Sequence, residues 1–171
     1  KAQIGSTAVV SAGGDVKVAA ASRQDVVSVA ISLAGAQGIG IAGSASSQNL
    51  ASNVEASVAG TLSTNQNLLI DADEITNFIT VGGGAGLGLQ TAGIGIGIAN
   101  NNLNRNLKSF IGNGANVTAL GNGAVITDPS GELSGNGMLI DATAKDNLIS
   151  VAAGGSFGGT VAFSGSVVVN T

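Results

Sequence analysis

A fifteen-residue pattern occurs three times in this chain. Residues 15–29 recur without a gap at 67–81 and again at 137–151. Apolar residues occupy the same positions in each copy: Val16/Leu68/Met138, Val18/Ile70/Ile140, Val26/Phe78/Leu148, Val27/Ile79/Ile149 and Val29/Val81/Val151. A chain that reuses one pattern usually stacks copies of one unit, each covering the open face of the one before. The repeat therefore predicts a stacked architecture.

Large and small residues alternate within each copy, as in the runs 27–31 and 94–98. This alternation places the large residues on one face of a β-strand. Residues 75–104 carry no charge and are long enough for a membrane-spanning helix. However, half of the residues from 82 to 97 are glycine, and each glycine costs a helix about 1 kcal/mol. A membrane β-strand would alternate too, but the chain has no Tyr or Trp for the membrane interfaces. The pattern therefore predicts buried strands.

The repeat and the alternation together predict an all-β fold, a parallel β-solenoid that forms a single elongated domain over residues 1–171. In such a fold each coil lies about 4.8 Å from the last, so equivalent residues stack in rows. We place the internal repeats at about 6–60, 61–121 and 122–171. Each repeat is expected to hold two coils of about 20–25 residues, giving six to eight coils, with the apolar rows excluding water. Polar clusters at 65–67 and 100–102 are predicted to be corners, and residues 127–132, which hold the only proline, an inserted surface loop.

The composition excludes several classes of function. Charged residues make up 9% of the chain, the net charge is −4, and Cys and His are absent. Disulfides, thiol chemistry and Ser-His-Asp or Cys-His catalysis are therefore ruled out. No basic patch is present that would bind nucleic acid. The chain begins at Lys1, and its repeat runs almost to Thr171, so we expect it to be part of a longer protein.

Acidic residues are the only candidates for a site. Asp71, Asp73 and Glu74 form a cluster, which is interpreted as a solvated corner rather than a calcium site. Asp71 and Asp141 could form a glycosidase or lyase pair, but such enzymes usually add aromatic platforms and basic groups, which are scarce here. The segment 116–118 is an N-glycosylation sequon. We therefore predict no catalytic, cofactor-binding or metal-binding residue, no cofactor, and no enzymatic activity.

The segments 11–20, 110–119 and the glycine-rich block that ends at 97–100 carry a resemblance that extends over nearly the whole chain. They resemble the β-helical repeats of large bacterial exoproteins: filamentous-haemagglutinin-like adhesins, giant autotransporters and fusobacterial leukotoxin-like repeats. The resemblance implies a right-handed parallel β-helix, secretion to the bacterial cell surface or outer membrane, and a role in adhesion or toxin delivery. It marks no functional residue in this sequence.

These observations lead to one main hypothesis and two alternatives. The main hypothesis is a non-catalytic rod or binding-face segment of a secreted or surface-displayed adhesin. The alternatives are a segment of a pore-forming or cytolytic exoprotein and a carbohydrate-active β-helix. The expected partners are neighbouring coils of a longer protein, a host-cell surface protein or glycan, and other copies that associate through exposed ends, but no nucleic acid.

Overall fold

The computed structural model describes the whole chain, Lys1–Thr171. It confirms an all-β chain, since 77% of the residues lie in strands and none in a helix. The twelve strands are β1 (Ala2–Ile4), β2 (Val9–Ala12), β3 (Val16–Ala36), β4 (Ile39–Val58), β5 (Thr61–Thr64), β6 (Leu68–Gly88), β7 (Ala92–Ile111), β8 (Asn116–Ala119), β9 (Ile126–Thr127), β10 (Ser134–Gly135), β11 (Met138–Gly158) and β12 (Val161–Asn170).

Three sheets hold all but two of the strands. Their orders are β1-β4-β7-β12, β11-β6-β3 and β2-β5-β8, and the strands within them run parallel. The short strands β9 and β10 pair antiparallel with each other. Consecutive long strands enter different sheets, and the chain returns to a given sheet only one repeat later. Each repeat, counted from β2, β5 and β8 in turn, therefore adds one strand to each sheet.

The register of the sheets follows the sequence repeat. Val9 of β2 pairs with Thr61 of β5, which is its equivalent in the next repeat. The Val16 N–H donates to the Asn67 carbonyl at 2.8 Å, and the Leu68 N–H donates to the Gly137 carbonyl at 2.8 Å. In a parallel ladder these bonds place equivalent residues of β3, β6 and β11 side by side. The row alignment predicted from the repeat is confirmed.

The predicted number of coils is wrong. Instead of two coils of 20–25 residues, each repeat makes a single pass through the three sheets. The reason is strand length: β3, β4, β6, β7 and β11 each contain 20 or 21 residues, whereas strands in globular proteins usually have about 3–10.

The chain forms two compact units, each built from three segments. Unit 1 comprises Lys1–Gln24, Ser52–Ile75 and Arg105–Lys145, and unit 2 comprises Asp25–Ala51, Thr76–Asn104 and Asp146–Thr171. Unit 1 has a conventional apolar core to which the initial or final parts of the long strands contribute. The buried residues of this core are Val18, Ala20, Val54, Ala56, Val58, Leu62, Leu68, Ile70 and Ala72.

A buried amide supports one corner of unit 1. Asn67 precedes β6 and is fully buried. Its Nδ2 donates to Asp15 Oδ1 at 2.9 Å and to the Ala124 carbonyl at 2.8 Å. Its Oδ1 accepts a hydrogen bond from the Gly137 N–H at 2.7 Å. One side chain thus joins residues from all three repeats, and the predicted corner at 65–67 is confirmed.

Unit 2 has glycine on the facing surfaces of its sheets. A methyl group added at Gly84 or Gly86 of β6 would overlap the carbonyl oxygen of Ile96 or Ile94 in β7. A methyl group at Gly95 would overlap the carbonyl oxygens of both Gly155 and Gly84. The two sheets therefore approach until backbone contacts backbone, at a distance that only glycine permits.

Many large residues of unit 2 consequently point outward. Val29, Ile31 and Leu33 of β3 are 58%, 75% and 72% exposed. The expectation that every apolar row excludes water is therefore wrong for the Val27/Ile79/Ile149 and Val29/Val81/Val151 rows, which line the outer face. The Val26/Phe78/Leu148 row does face inward, and Phe78 is fully buried.

The predicted corner at 100–102 is also wrong, because these residues lie within β7. Asn101 is buried, and its amide is satisfied by a ladder of polar side chains. Its Oδ1 accepts a hydrogen bond from Thr80 Oγ1 at 2.5 Å, and its Nδ2 donates to Ser150 Oγ at 2.6 Å and to Asn170 Oδ1 at 3.1 Å. A run of asparagines can thus continue a strand when neighbouring strands offer partners in register.

Candidate functional site

An open cleft lies on unit 1, beside the segment that precedes β11. Its volume is about 460 Å³. The lining residues are Ala21, Ser22, Arg23, Asp73, Glu74, Ile75, Pro129, Ser130, Thr143 and Lys145. Strands β3, β6 and β11 therefore supply its floor, and the loop between β9 and β10 supplies Pro129 and Ser130.

Three carboxylates converge next to this cleft. Asp71 and Asp73 are two residues apart on β6 and so share a face, and Asp141 lies on the neighbouring strand β11, one repeat after Asp71. One oxygen from each carboxylate lies within 4.8 Å of the others. Two like charges at that separation repel by roughly 3 kcal/mol at an effective dielectric constant of about 20. The fold thus places three negative groups together at a cost.

The cluster is also shielded from water. Asp71 is 1% exposed, and Asp73 and Asp141 are half-buried. Asp71 Oδ1 and Asp73 Oδ1 are buried and accept no hydrogen bond. Buried polar atoms are nearly always paired in folded proteins, so these two oxygens are an exception that needs an explanation.

Burial and like charge both favour the protonated form of these acids. Burial, reinforced by the negative charge of Asp73, raises the pKa of Asp71 to about 6 against the opposing effect of the Lys17 ammonium group. The pKa of Asp73 is raised first by burial and then by the charges of Asp128 and Asp141. Such shifts are common at functional sites, although structural clusters produce them as well.

The inserted segment beside the cleft, residues 127–132, is held in place by hydrogen bonds to the Asp128 carboxylate. Asp128 Oδ1 accepts a hydrogen bond from the Leu133 N–H at 2.7 Å, and its Oδ2 accepts one from the Ser130 N–H at 3.0 Å and another from the Ser130 hydroxyl. The bond from the Ser130 side chain lowers the pKa of Asp128. Lys145 Nζ lies 3.2 Å from Glu132 Oε1, which ties this segment to β11.

A buried ion pair lies on the other face of β6. Glu74 Oε2 is 3.0 Å from Arg105 Nε, and the Glu74 side chain has no exposed surface. Burying a charge without a partner is strongly unfavourable, so this pair secures β6 against β7 within unit 1.

The structure corrects the interpretation of the acidic cluster. Asp71, Asp73 and Glu74 were expected at a solvated corner, but they lie inside β6, and Asp71 and Glu74 are buried. The paired carboxylates Asp71 and Asp141 do lie close together. The repeat predicts that Asp141 aligns with Asp71. It does not predict that the inserted segment shields these carboxylates from water, because that segment is not part of the repeat. Asn116 of the sequon is exposed at the start of β8.

Unit 2 offers a second candidate surface, its outer apolar face. Apart from Asp25 and Asp146, unit 2 contains no charged residue, and all six Lys and Arg residues belong to unit 1. Exposed large residues on this face include Val27, Val29, Ile31, Leu33, Ile149, Val151 and Phe157. Extended exposed apolar patches of this kind mark interaction surfaces in soluble proteins.

Comparison with known proteins adds no assignment. Neither the family models nor the curated proteins nor the solved structures give a significant match to this chain. The structure contains no helix that is long and apolar enough to cross a membrane.

Proposed function

We propose that this chain is a scaffold and binding-face segment of a secreted or surface-displayed bacterial adhesin, built as a right-handed parallel β-helix. The observation that carries the proposal is the register, in which each repeat adds one strand to each of three parallel sheets. Such a segment extends by repetition, and its mechanical role needs no catalytic group.

The scaffold role rests on how the repeats are joined. Backbone hydrogen bonds such as that from Leu68 N–H to the Gly137 carbonyl link successive repeats, and β12 pairs with β7 over ten consecutive residues. Side chains reinforce them, since Asn106 Nδ2 donates to Asn53 Oδ1 at 3.0 Å and Asn77 Nδ2 donates to Asp25 Oδ1 at 2.5 Å, in each case from one repeat to the one before. Pulling one repeat from the next would break all of these bonds together.

The binding role is assigned to the outer apolar face of unit 2. Val29 and Ile31 lie on this face, more than half exposed. Burying one such side chain in an interface contributes roughly 1.5–3 kcal/mol. A host-surface protein, or the apolar face of a glycan, could gain this energy on docking.

An adhesion assay tests the proposal directly. Beads coated with the full chain should bind cultured epithelial cells, and excess free chain should compete. The double variant Val29→Ser/Ile31→Ser should weaken binding at least about fivefold, because two exposed anchors are lost. Val9→Ser is the matched control, since Val9 is 79% exposed but belongs to unit 1. Beads that bind no better than albumin-coated beads would contradict the adhesive role.

One observation favours the cytolytic alternative as a second candidate. Unit 2 presents many large apolar residues outward, has glycine on much of its inner surface, and lacks basic residues. Dye-loaded vesicles of neutral phosphatidylcholine provide the test. Release of dye by the purified chain at micromolar concentration would support membrane damage, and intact vesicles would eliminate it.

A further inference from the structure

Asp71 poses a problem that the scaffold role does not answer. Its carboxylate is 1% exposed, its Oδ1 accepts no hydrogen bond, and two more carboxylates approach it. A charge removed from water normally has a partner. Of the nearby cations, Lys145 pairs with Glu132, and Lys17 attracts Asp71 only through its charge and leaves Asp71 Oδ1 without a hydrogen bond.

We propose that Asp71, Asp73 and Asp141 together bind a hard divalent cation, Ca²⁺, which joins strands β6 and β11 beneath the inserted segment. The three oxygens already lie within 4.8 Å of one another. A cation between them converts three mutually repelling charges into a coordination shell and supplies the missing partner of Asp71 Oδ1. This inference concerns unit 1 alone and is independent of the adhesive role.

The donor set selects the class of ion. The chain contains no His and no Cys, so the site offers oxygen ligands only. Carboxylate oxygens suit Ca²⁺, Mg²⁺ and Mn²⁺ rather than Zn²⁺ or Cu²⁺. Up to six oxygens are available if each carboxylate binds through both of its own, which matches the lower end of calcium coordination.

The spacing favours calcium within that class. Two oxygens on opposite sides of a Ca²⁺ ion are about 4.6–5.2 Å apart, and around Mg²⁺ they are about 4.0–4.2 Å apart. The three oxygens lie within 4.8 Å of one another, a limit that falls inside the calcium range and above the magnesium range. Strands β6 and β11 are hydrogen-bonded neighbours in a sheet, so their backbones cannot close readily to the strict octahedron that Mg²⁺ requires.

A neighbouring hydroxyl orients one of the ligands. Thr143 Oγ1 donates to Asp141 Oδ2 at 2.7 Å. This bond restrains the rotation of the Asp141 carboxylate, in the manner of the outer groups that position carboxylate ligands in metal sites. The adjoining cleft, which Asp73 and Thr143 help to line, provides a route for the ion.

Calorimetry and thermal unfolding of the full chain test the site. After treatment with EDTA and dialysis, titration with CaCl₂ should show one site with a sub-millimolar dissociation constant, in the range of extracellular calcium modules. At equal concentration CaCl₂ should raise the melting temperature, followed by far-ultraviolet circular dichroism, by more than MgCl₂ does.

Variants separate binding from a loss of folding. Asp71→Asn should weaken calcium binding at least tenfold, yet in EDTA it should melt at a higher temperature than the unaltered chain, because a buried repelling charge is removed. Asp141→Asn should behave similarly. Glu55→Gln removes one negative charge from unit 1 but lies on β4, so its calcium response should be unchanged. No heat of binding, an equal response to both ions, or an undiminished response in Asp71→Asn would each overturn the proposal.

Discussion

Asn67 and Asp71 are both buried polar residues of unit 1, and they differ in whether their side-chain atoms have partners. The amide of Asn67 makes hydrogen bonds through both its oxygen and its nitrogen. One carboxylate oxygen of Asp71 makes none. A satisfied buried group specifies the local structure, whereas an unsatisfied one costs stability and marks a place where a ligand or a proton can bind.

Asn67→Ala should destabilise the chain by about 2–4 kcal/mol, because it removes three hydrogen bonds and leaves the buried groups that make them without partners. Urea unfolding followed by circular dichroism measures the change. Asn113→Ala, in the exposed turn after β7, is the matched control and should alter stability by less than about 0.5 kcal/mol. Equal effects of the two substitutions would show that the Asn67 corner does not stabilise the fold.

The raised pKa of Asp71 predicts an unusual pH dependence. The folded state holds this proton up to about pH 6, whereas the unfolded state releases it near pH 3.8. The associated stability is therefore complete below about pH 3.8 and is lost as the pH rises through about 6. In EDTA the chain should melt several degrees higher at pH 5.0 than at pH 7.5. The chain has no His or Cys to titrate in that interval, and Asp71→Asn should remove most of the difference.

At the level of the elements, alternation predicts the strands but not which face is buried. In unit 1 the large residues Val18 and Ile70 face inward, while in unit 2 Val29 and Ile31 face outward. The difference depends on the partner of each face. A glycine face opposite another glycine face reaches backbone contact, and this packing of β6 on β7 is not visible in the local sequence of either strand.

Glycine substitutions test this close approach. Gly95→Ala should destabilise unit 2 by about 1–3 kcal/mol, since the new methyl group would overlap two carbonyl oxygens. Gly35→Ala is the control, because nothing lies within 4 Å of a methyl group there, and it should be neutral or stabilising by up to about 1 kcal/mol. Chemical denaturation of both variants provides the comparison, and a harmless Gly95→Ala would mean that the sheets are not in backbone contact.

For the whole chain, the repeat predicted which residues align but not how many strands one repeat holds. The spacing between two copies of the pattern fixes only the sum of strand and turn lengths, and the turns near 37–38 and 89–91 depend on the strands that they join. The acidic site was beyond prediction for a related reason. It requires the alignment of Asp71 with Asp141 and, in addition, burial beside an inserted segment that belongs to no repeat.

Open sheet edges predict self-association. Strand β12 pairs only with β7, and all of its residues are exposed. Sedimentation velocity should therefore reveal oligomers that grow with concentration. Val168→Lys, which places a charge on this edge strand, should shift the distribution toward monomer, and Leu120→Lys in an exposed loop should not. A single monomeric species at millimolar concentration would contradict the prediction.

The glycine contacts of unit 2 also have an evolutionary consequence. Positions such as Gly84 and Gly95 accept no side chain at all. Substitutions there destabilise the fold and are therefore removed by selection. Outward positions beside these glycines, such as Ile96, are exposed and can change with little effect on folding. Variation should therefore accumulate on the outward side of unit 2, and the same backbone can carry many different surfaces in descendants of this sequence.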